Sequence, residues 1–209
     1  MSLVAKVVRK FKSAVHDARH GGYTGGIHPT RYGHRGATHT VSTKHALIPF
    51  LLDPVLRAGD VFVDVGCGRG RMINWVCDDG RATRIFGLEI EKKFAAEVAL
   101  RHRHHETVTI VAGDALTALP DSATLFYLWN PFDGSVMERF KEALIAKYAL
   151  FGTLQSVRLV YHHCLFADVW RTDPRCRVEP IALPDDEENE AILVTFRTAQ
   201  PAAATVSGA

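Results

Sequence analysis

The sequence predicts a doubly wound α/β sheet with an antiparallel C-terminal hairpin and a helical N-terminal extension. Three observations carry that expectation. Five short apolar runs alternate with helical patterns from Val61 onward, an order that builds a parallel sheet with helices on both faces. The first run ends in a glycine turn, VFVDVGCGRGR at 61–71, and a helical pattern starts from it. The last two apolar runs are joined by the acidic loop PDDEENE, whose charge suits a solvated hairpin connection.

The elements follow in order. Residues 2–18 read as an amphipathic helix, with Leu3, Val4, Val7, Val8, Phe11 and Val15 opposite Lys6, Arg9, Lys10 and Lys12. Residues 20–40 are rich in glycine and histidine with a single proline. They read as an irregular segment suited to a lid over a ligand. Ser42 or Thr43 is placed to cap a helix running to Leu52, which Pro49 and Pro54 kink or split. The glycine turn leads into a helix over 71–77, a strand over 83–90, a helix over 91–105 and a strand over 108–112. The 91–105 helix turns Phe94, Ala95, Val98 and Ala99 inward. A strand over 123–129, a helix over 135–150, a strand over 157–161 and a short helix over 167–171 follow. Strands over 176–183 and 191–197 form the hairpin, and the low-complexity tail 199–209 reads as disordered. The division is a basic extension over 1–41, a ligand-binding domain over 42–198 and the tail.

Composition sets outer bounds. At 209 residues, 47% apolar and 23% charged, the chain suits one packed domain with an appendage. No apolar run is long enough to span a membrane, and basic residues break up the N-terminus where a signal peptide's apolar core would lie. The cysteines Cys67, Cys77, Cys164 and Cys176 form no C-x-x-C pair, so reduced thiols and a cytoplasmic location are expected. Residues 1–45 carry a net +7 and the remainder a net −5. A basic arm on an acidic body attracts anionic partners, or simply solubilises a terminal helix; both readings stay open.

The glycine turn narrows the chemistry. Its glycines read G-x-G-x-G, one residue tighter than the dinucleotide fingerprint G-x-G-x-x-G, with Asp64 two residues before Gly66. Glu89 ends the next strand 19 residues beyond Gly70, placed to accept hydrogen bonds from ribose hydroxyls. Asp64, Gly66, Gly68 and Gly70 resemble the first motif, D/E-x-G-x-G-x-G, of the class I S-adenosylmethionine-dependent methyltransferases. Asp114, after the third strand, resembles that family's adenine-contacting acid. The resemblance covers about 42–198. It implies a Rossmann-like, mostly parallel seven-stranded sheet and S-adenosylmethionine as cofactor. The cofactor contacts it implies are Asp64, Gly66, Cys67, Gly68 and Gly70 at the glycine turn, Glu89 and Ile90 after the second strand, Asp114 and Ala115 after the third, and Asn130 after the fourth.

Asn130-Pro131-Phe132 resembles the N-P-P-[YF] signature of methyltransferases acting on planar amines, with one proline in place of two, and fits a set of small bacterial methyltransferases. The resemblance makes Asn130 a catalytic acceptor for the target amine, and Pro131 and Phe132 substrate contacts. Asn130 closing a turn or capping the next helix is the other reading. His162 and His163, at the end of the fifth strand, alternate sides. His162 is taken as the candidate base and His163 as a substrate contact, and His28, His34, His39 and His45 reach toward the cleft from the extension. The His102–His105 run is placed on an exposed helix end, and no cysteine–histidine spacing calls for a metal.

These readings point to methyl transfer onto a nitrogen of a small molecule or peptide. The alternatives are O-methylation of a small metabolite or glycan, and a non-catalytic module that binds S-adenosylmethionine or nucleic acid. The few aromatics near the basic arm argue against a nucleic-acid partner. The sequence leaves the oligomeric state open.

Overall fold

The computed structural model describes residues 13–184 and 189–197. Residues 1–12, which include most of the expected amphipathic helix, part of the acidic hairpin loop and the C-terminal tail lie outside them. Residues 13–19 are helical and form the described part of α1. Its inward residue is Asp17, while Val15 of the expected apolar stripe is exposed. Asp17 is buried because it is fully partnered: Thr24, His45 and Arg71 all donate to its carboxylate.

Residues 20–43 are less irregular than the composition suggested. A two-stranded antiparallel ribbon pairs β1 (Ile27–His28) with β2 (Thr40–Val41). A single bridge links Ala37 to Phe132. The expected helix after Thr43 is split as Pro49 requires, into a 3-10 turn (His45–Leu47) and α2 (Ile48–Leu52). Neither Ser42 nor Thr43 caps it. Ser42 Oγ donates to the Thr24 carbonyl, and the Thr43 hydroxyl pairs with that of Tyr127.

The main sheet has seven strands: β3 (Val61–Val65), β4 (Arg84–Glu89), β5 (Val108–Ala112), β6 (Leu125–Trp129), β7 (Arg158–His162), β8 (Cys176–Pro180) and β9 (Ala191–Phe196). Their spatial order is β5-β4-β3-β6-β7-β9-β8. The first five are parallel, while β9 runs antiparallel to β7 and β8. This is the doubly wound sheet and terminal hairpin read from the sequence. The crossovers are α3 (Arg71–Asp79), α4 (Lys92–Arg101) and α5 (Gly134–Leu150), with the short α6 (Asp168–Arg171) before the hairpin. The β5–β6 connection contains no helix.

Alternation along the strands divides the core in two. Val63, Val65, Phe126, Leu128, Leu159 and Tyr161 pack with α5 and Trp170 on one face. Phe62, Ile85, Leu125, Tyr127 and Val160 pack with α2, α3 and Val98 of α4 on the other. On α4 only Ala95 and Val98 are buried, and Ala99 is exposed. The helix covers the rim of the sheet rather than its middle, so its buried stripe is narrower than the sequence suggested. His102 is buried just past the end of α4, contrary to its expected exposure, because its Nε2 lies 2.8 Å from Asn74 Oδ1. No helix among the described residues is long and apolar enough to cross a membrane.

Candidate active site

Strand order reverses between β3 and β6. In open α/β sheets that switch point leaves a crevice beyond the carboxyl ends of the strands. Here the crevice is two chambers that share Thr40, Val41, Gly66 and Trp129. One is lined by Glu89, Ile90, Asp114, Ala115, Pro131 and Phe132, the other by Asp64, Cys67, Gly68, Arg71 and Tyr127. Ten of the fourteen site residues named from the sequence therefore converge here.

The glycine turn builds the floor. Gly66 and Cys67 donate their amides to the Leu88 carbonyl, at 2.8 and 3.0 Å. Gly68 has φ +53, and a Cβ on it would lie 2.5 Å from Thr40 Cγ2. Glycine is thus needed both for the backbone angle and for the strand that crosses above. Gly70 (φ +79) lines neither chamber. It is the residue before α3, where a Cβ would meet Val98 at 2.8 Å.

Three carboxylates stand at the ends of three adjacent strands. Asp64 is 4% exposed; burial, then the neighbouring Glu89, push its pKa up to about 8. Glu89 is also raised by burial, but two amides hold its charge. Gly68 N–H donates to Oε2 at 2.7 Å and Glu91 N–H to Oε1 at 2.8 Å. Asp114 accepts from Leu116 N–H at 3.0 Å and from Arg35 Nη2 at 2.6 Å. The buried Cys67 thiol is pushed far up by burial and by Asp64 and Glu89, which makes it an inert wall residue.

Asn130, His162 and His163 are not among the residues lining the chambers. Asn130 is buried in the left-handed region at φ +37, a conformation asparagine tolerates. Its Oδ1 accepts from the Tyr161 hydroxyl at 2.5 Å, and the Tyr161 oxygen in turn accepts from Phe166 N–H at 3.4 Å. It does not cap α5, whose cap is Asp133 accepting from Val136 N–H. Backbone donors and hydroxyls cover the carbonyls of this motif. Thr38 Oγ1 donates to the Asn130 carbonyl at 2.6 Å, and Thr38 N–H to the Pro131 carbonyl at 3.1 Å. His162 Nδ1 lies 3.1 Å from the Tyr127 hydroxyl, which pairs with Thr43 Oγ1 at 2.5 Å. His163 (φ +52) stacks on Trp129 with ring centroids 4.7 Å apart. Of the four other histidines, only His39 lines a chamber, while His45 is held by Asp17.

Several wall residues had no legible signal. Arg71 looked like a helix start, yet its guanidinium lines the second chamber and holds the extension through Thr24, Thr43 and Asp17. Arg35 and Thr38 sit in the glycine-rich segment, where no periodicity marks contact residues. Trp129 was identified only as the end of a strand.

Comparison with known proteins agrees with this geometry. Residues 63–129 match the family model described as "Methyltransferase domain". No curated protein matches the sequence. Among solved structures, an RNA methyltransferase from Salinibacter ruber in complex with S-adenosyl-L-homocysteine is 20% identical, with TM-score 0.57; the match covers 78% of this chain and 97% of that one. The B. subtilis M1A22 tRNA methyltransferase TrmK is 16% identical, with TM-score 0.56, covering 69% of this chain and 63% of that one. The mitomycin 7-O-methyltransferase MmcR is 16% identical, with TM-score 0.54, covering 66% and 49%. At these identities the likeness is one of fold. With a methyltransferase-domain match over the strands that build the cleft, the chain carries the fold of the class I S-adenosylmethionine-dependent methyltransferases.

Proposed function

We propose that the chain moves a methyl group from S-adenosylmethionine to a nitrogen of a small molecule or peptide. One observation carries the cofactor part: Asp64, Glu89 and Asp114 stand at the carboxyl ends of three neighbouring strands around a glycine turn. A buried Asp64 without a cationic partner suits a positively charged ligand in its chamber. Glu89 keeps acceptor capacity for ribose hydroxyls, and Asp114 with the Ala115 amide suits an adenine edge. When bound, the cofactor supplies an electrophilic methyl carbon on a sulfonium.

The chain's own residues then have two tasks, alignment and proton removal. The Asn130 side chain, fixed by Tyr161, and the Asn130 and Pro131 carbonyls are acceptors that orient an amine, while Phe132 packs beside it. The Thr43–Tyr127–His162 series offers a path for the departing proton. His162 acts through Tyr127 in this reading, and His163 supports Trp129. Thr38 and Arg35 hold the extension against the first chamber, so the segment over 1–41 is read as a lid whose contacts exchange for those of the ligands.

A nucleic-acid acceptor is the second reading. The sequence argued against one, but two of the matched structures are enzymes of RNA, and Arg31, on the same segment, projects a largely exposed side chain. Calorimetric titration with S-adenosylhomocysteine tests the cofactor. Binding weakened by about 1–3 kcal/mol in Glu89→Ala is the expected result, and no heat at millimolar ligand sinks the proposal. Transfer of labelled methyl to small amines and peptides, hydroxyl compounds or transfer RNA then decides the acceptor.

A further inference from the structure

Outside the residues that line the cleft, where α1 meets the C-terminal end of α3, three side chains converge. His16 and His20 are four residues apart on and just after α1, a spacing that puts both rings on one helix face. Asp78, near the C-terminal end of α3, meets them. His20 Nε2 lies 3.0 Å and His16 Nε2 3.3 Å from the same oxygen, Asp78 Oδ2. The three donor atoms fall within 4.8 Å of one another. His16 makes no hydrogen bond through either ring nitrogen, although both are buried. Two imidazole nitrogens lie within 3.3 Å of one carboxylate oxygen, but only that of His20 has hydrogen-bond geometry toward it, an arrangement that a shared cation explains better than a hydrogen-bond network.

We propose that His16, His20 and Asp78 bind a divalent transition-metal ion of the zinc type, and that this ion fastens the N-terminal extension to the body of the protein. Donor chemistry and spacing agree. Zinc takes imidazole nitrogen at about 2.0–2.1 Å and carboxylate oxygen at about 2.0–2.2 Å in a tetrahedron, whose edges are then roughly 3.3–3.5 Å. The His16–Asp78 separation of 3.3 Å already matches such an edge, and the His20–Asp78 separation of 3.0 Å needs to open by only a few tenths of an ångström. A water molecule completes the fourth position, on the side where Asp78 is half exposed.

Asp17 and His45, which also approach His16, are the weaker partners. Asp17 already accepts four hydrogen bonds, and one comes from His45 Nε2. The mechanical consequence is specific. Asp17 and Thr24 hold Arg71, which opens α3 and lines the cleft, while Asp78 lies at the far end of the same helix. A metal at Asp78 would pin α1 to one end of α3 while Arg71 grips it at the other.

The test uses the full chain without an affinity tag, stripped with chelator and titrated with zinc chloride. A cobalt(II) titration followed by visible absorption runs in parallel. One equivalent bound with sub-micromolar affinity, with cobalt bands of tetrahedral intensity and a higher Tm, is expected. His20→Ala and His16→Ala should each weaken zinc by about 100-fold or more, and Asp78→Asn by at least about tenfold. His104→Ala should leave binding intact. If His20→Ala fails to fold, Asp78→Asn carries the test, because it changes a half-exposed side chain. No binding below about 100 μM in the wild type, or wild-type affinity in the His16→Ala/His20→Ala variant, overturns the assignment.

Discussion

Asp64→Asn is expected to stabilise the protein, increasingly so as pH rises. Asp64 is fully enclosed, and its pKa is pushed from 3.8 up to about 8, first by burial and then by Glu89. Between those values the folded chain holds a proton that the unfolded chain has released. Stability then falls with rising pH, by about 1.36 kcal/mol per pH unit for one such group. The sign is the reverse of a carboxylate held by a salt bridge: the penalty is absent below the unfolded pKa and complete above the folded one. From pH 5 to pH 8 the wild type should lose about 4 kcal/mol through this residue alone. Asparagine keeps the shape without the ionisation, so its pH–stability curve should be flatter by that amount. Urea denaturation at pH 5, 6, 7 and 8, without ligand, measures both curves. Parallel curves for the two proteins would refute the idea that Asp64 carries an uncompensated buried charge.

Further expectations follow from the same geometry. A cationic sulfonium near Asp64 favours the ionised carboxylate, whereas the thioether of S-adenosylhomocysteine is neutral. Affinity for S-adenosylmethionine should therefore rise between pH 6 and pH 8 more steeply than affinity for the product, and equal pH dependence by calorimetry would count against the placement. Tyr161→Phe removes the donor that fixes Asn130 Oδ1. It should lower kcat by roughly 10-fold or more while leaving product affinity within about twofold, since one lost neutral hydrogen bond is about 1 kcal/mol and misorientation adds to it. Thr38→Val removes the hydroxyl that covers the Asn130 carbonyl. It should lower the acceptor KM severalfold, and a raised KM would mean that Thr38 serves the acceptor directly.

The sheet was legible because its strands are short apolar runs with few alternatives, and β5 was read to the residue. The glycine turn and the acids at 89 and 114 were legible because their spacing is set by strand and helix lengths. Other features depended on tertiary partners that no local pattern encodes. Thr43 looks like a helix cap in sequence but pairs with Tyr127 from β6. His102 looks like a surface residue but is buried against Asn74. Val15 completes an apolar stripe on paper, yet Asp17 is turned inward by Arg71, more than fifty residues away. The contacts of Arg35 and Thr38 are the most hidden, because a glycine-rich segment has no periodicity from which a facing side can be deduced.

The two hydrogen bonds of Thr38 have a kinetic meaning. An amide N–H and a hydroxyl, both from the chain itself, present donors to the carbonyls proposed to receive an amine. On that proposal the segment would act as a tethered competitor with a local concentration on the order of millimolar. An acceptor must outcompete this internal donor pair, and one that offers only a single N–H exchanges two bonds for one. Selectivity would then begin before any substrate pocket is reached, with a threshold that the chain sets for itself.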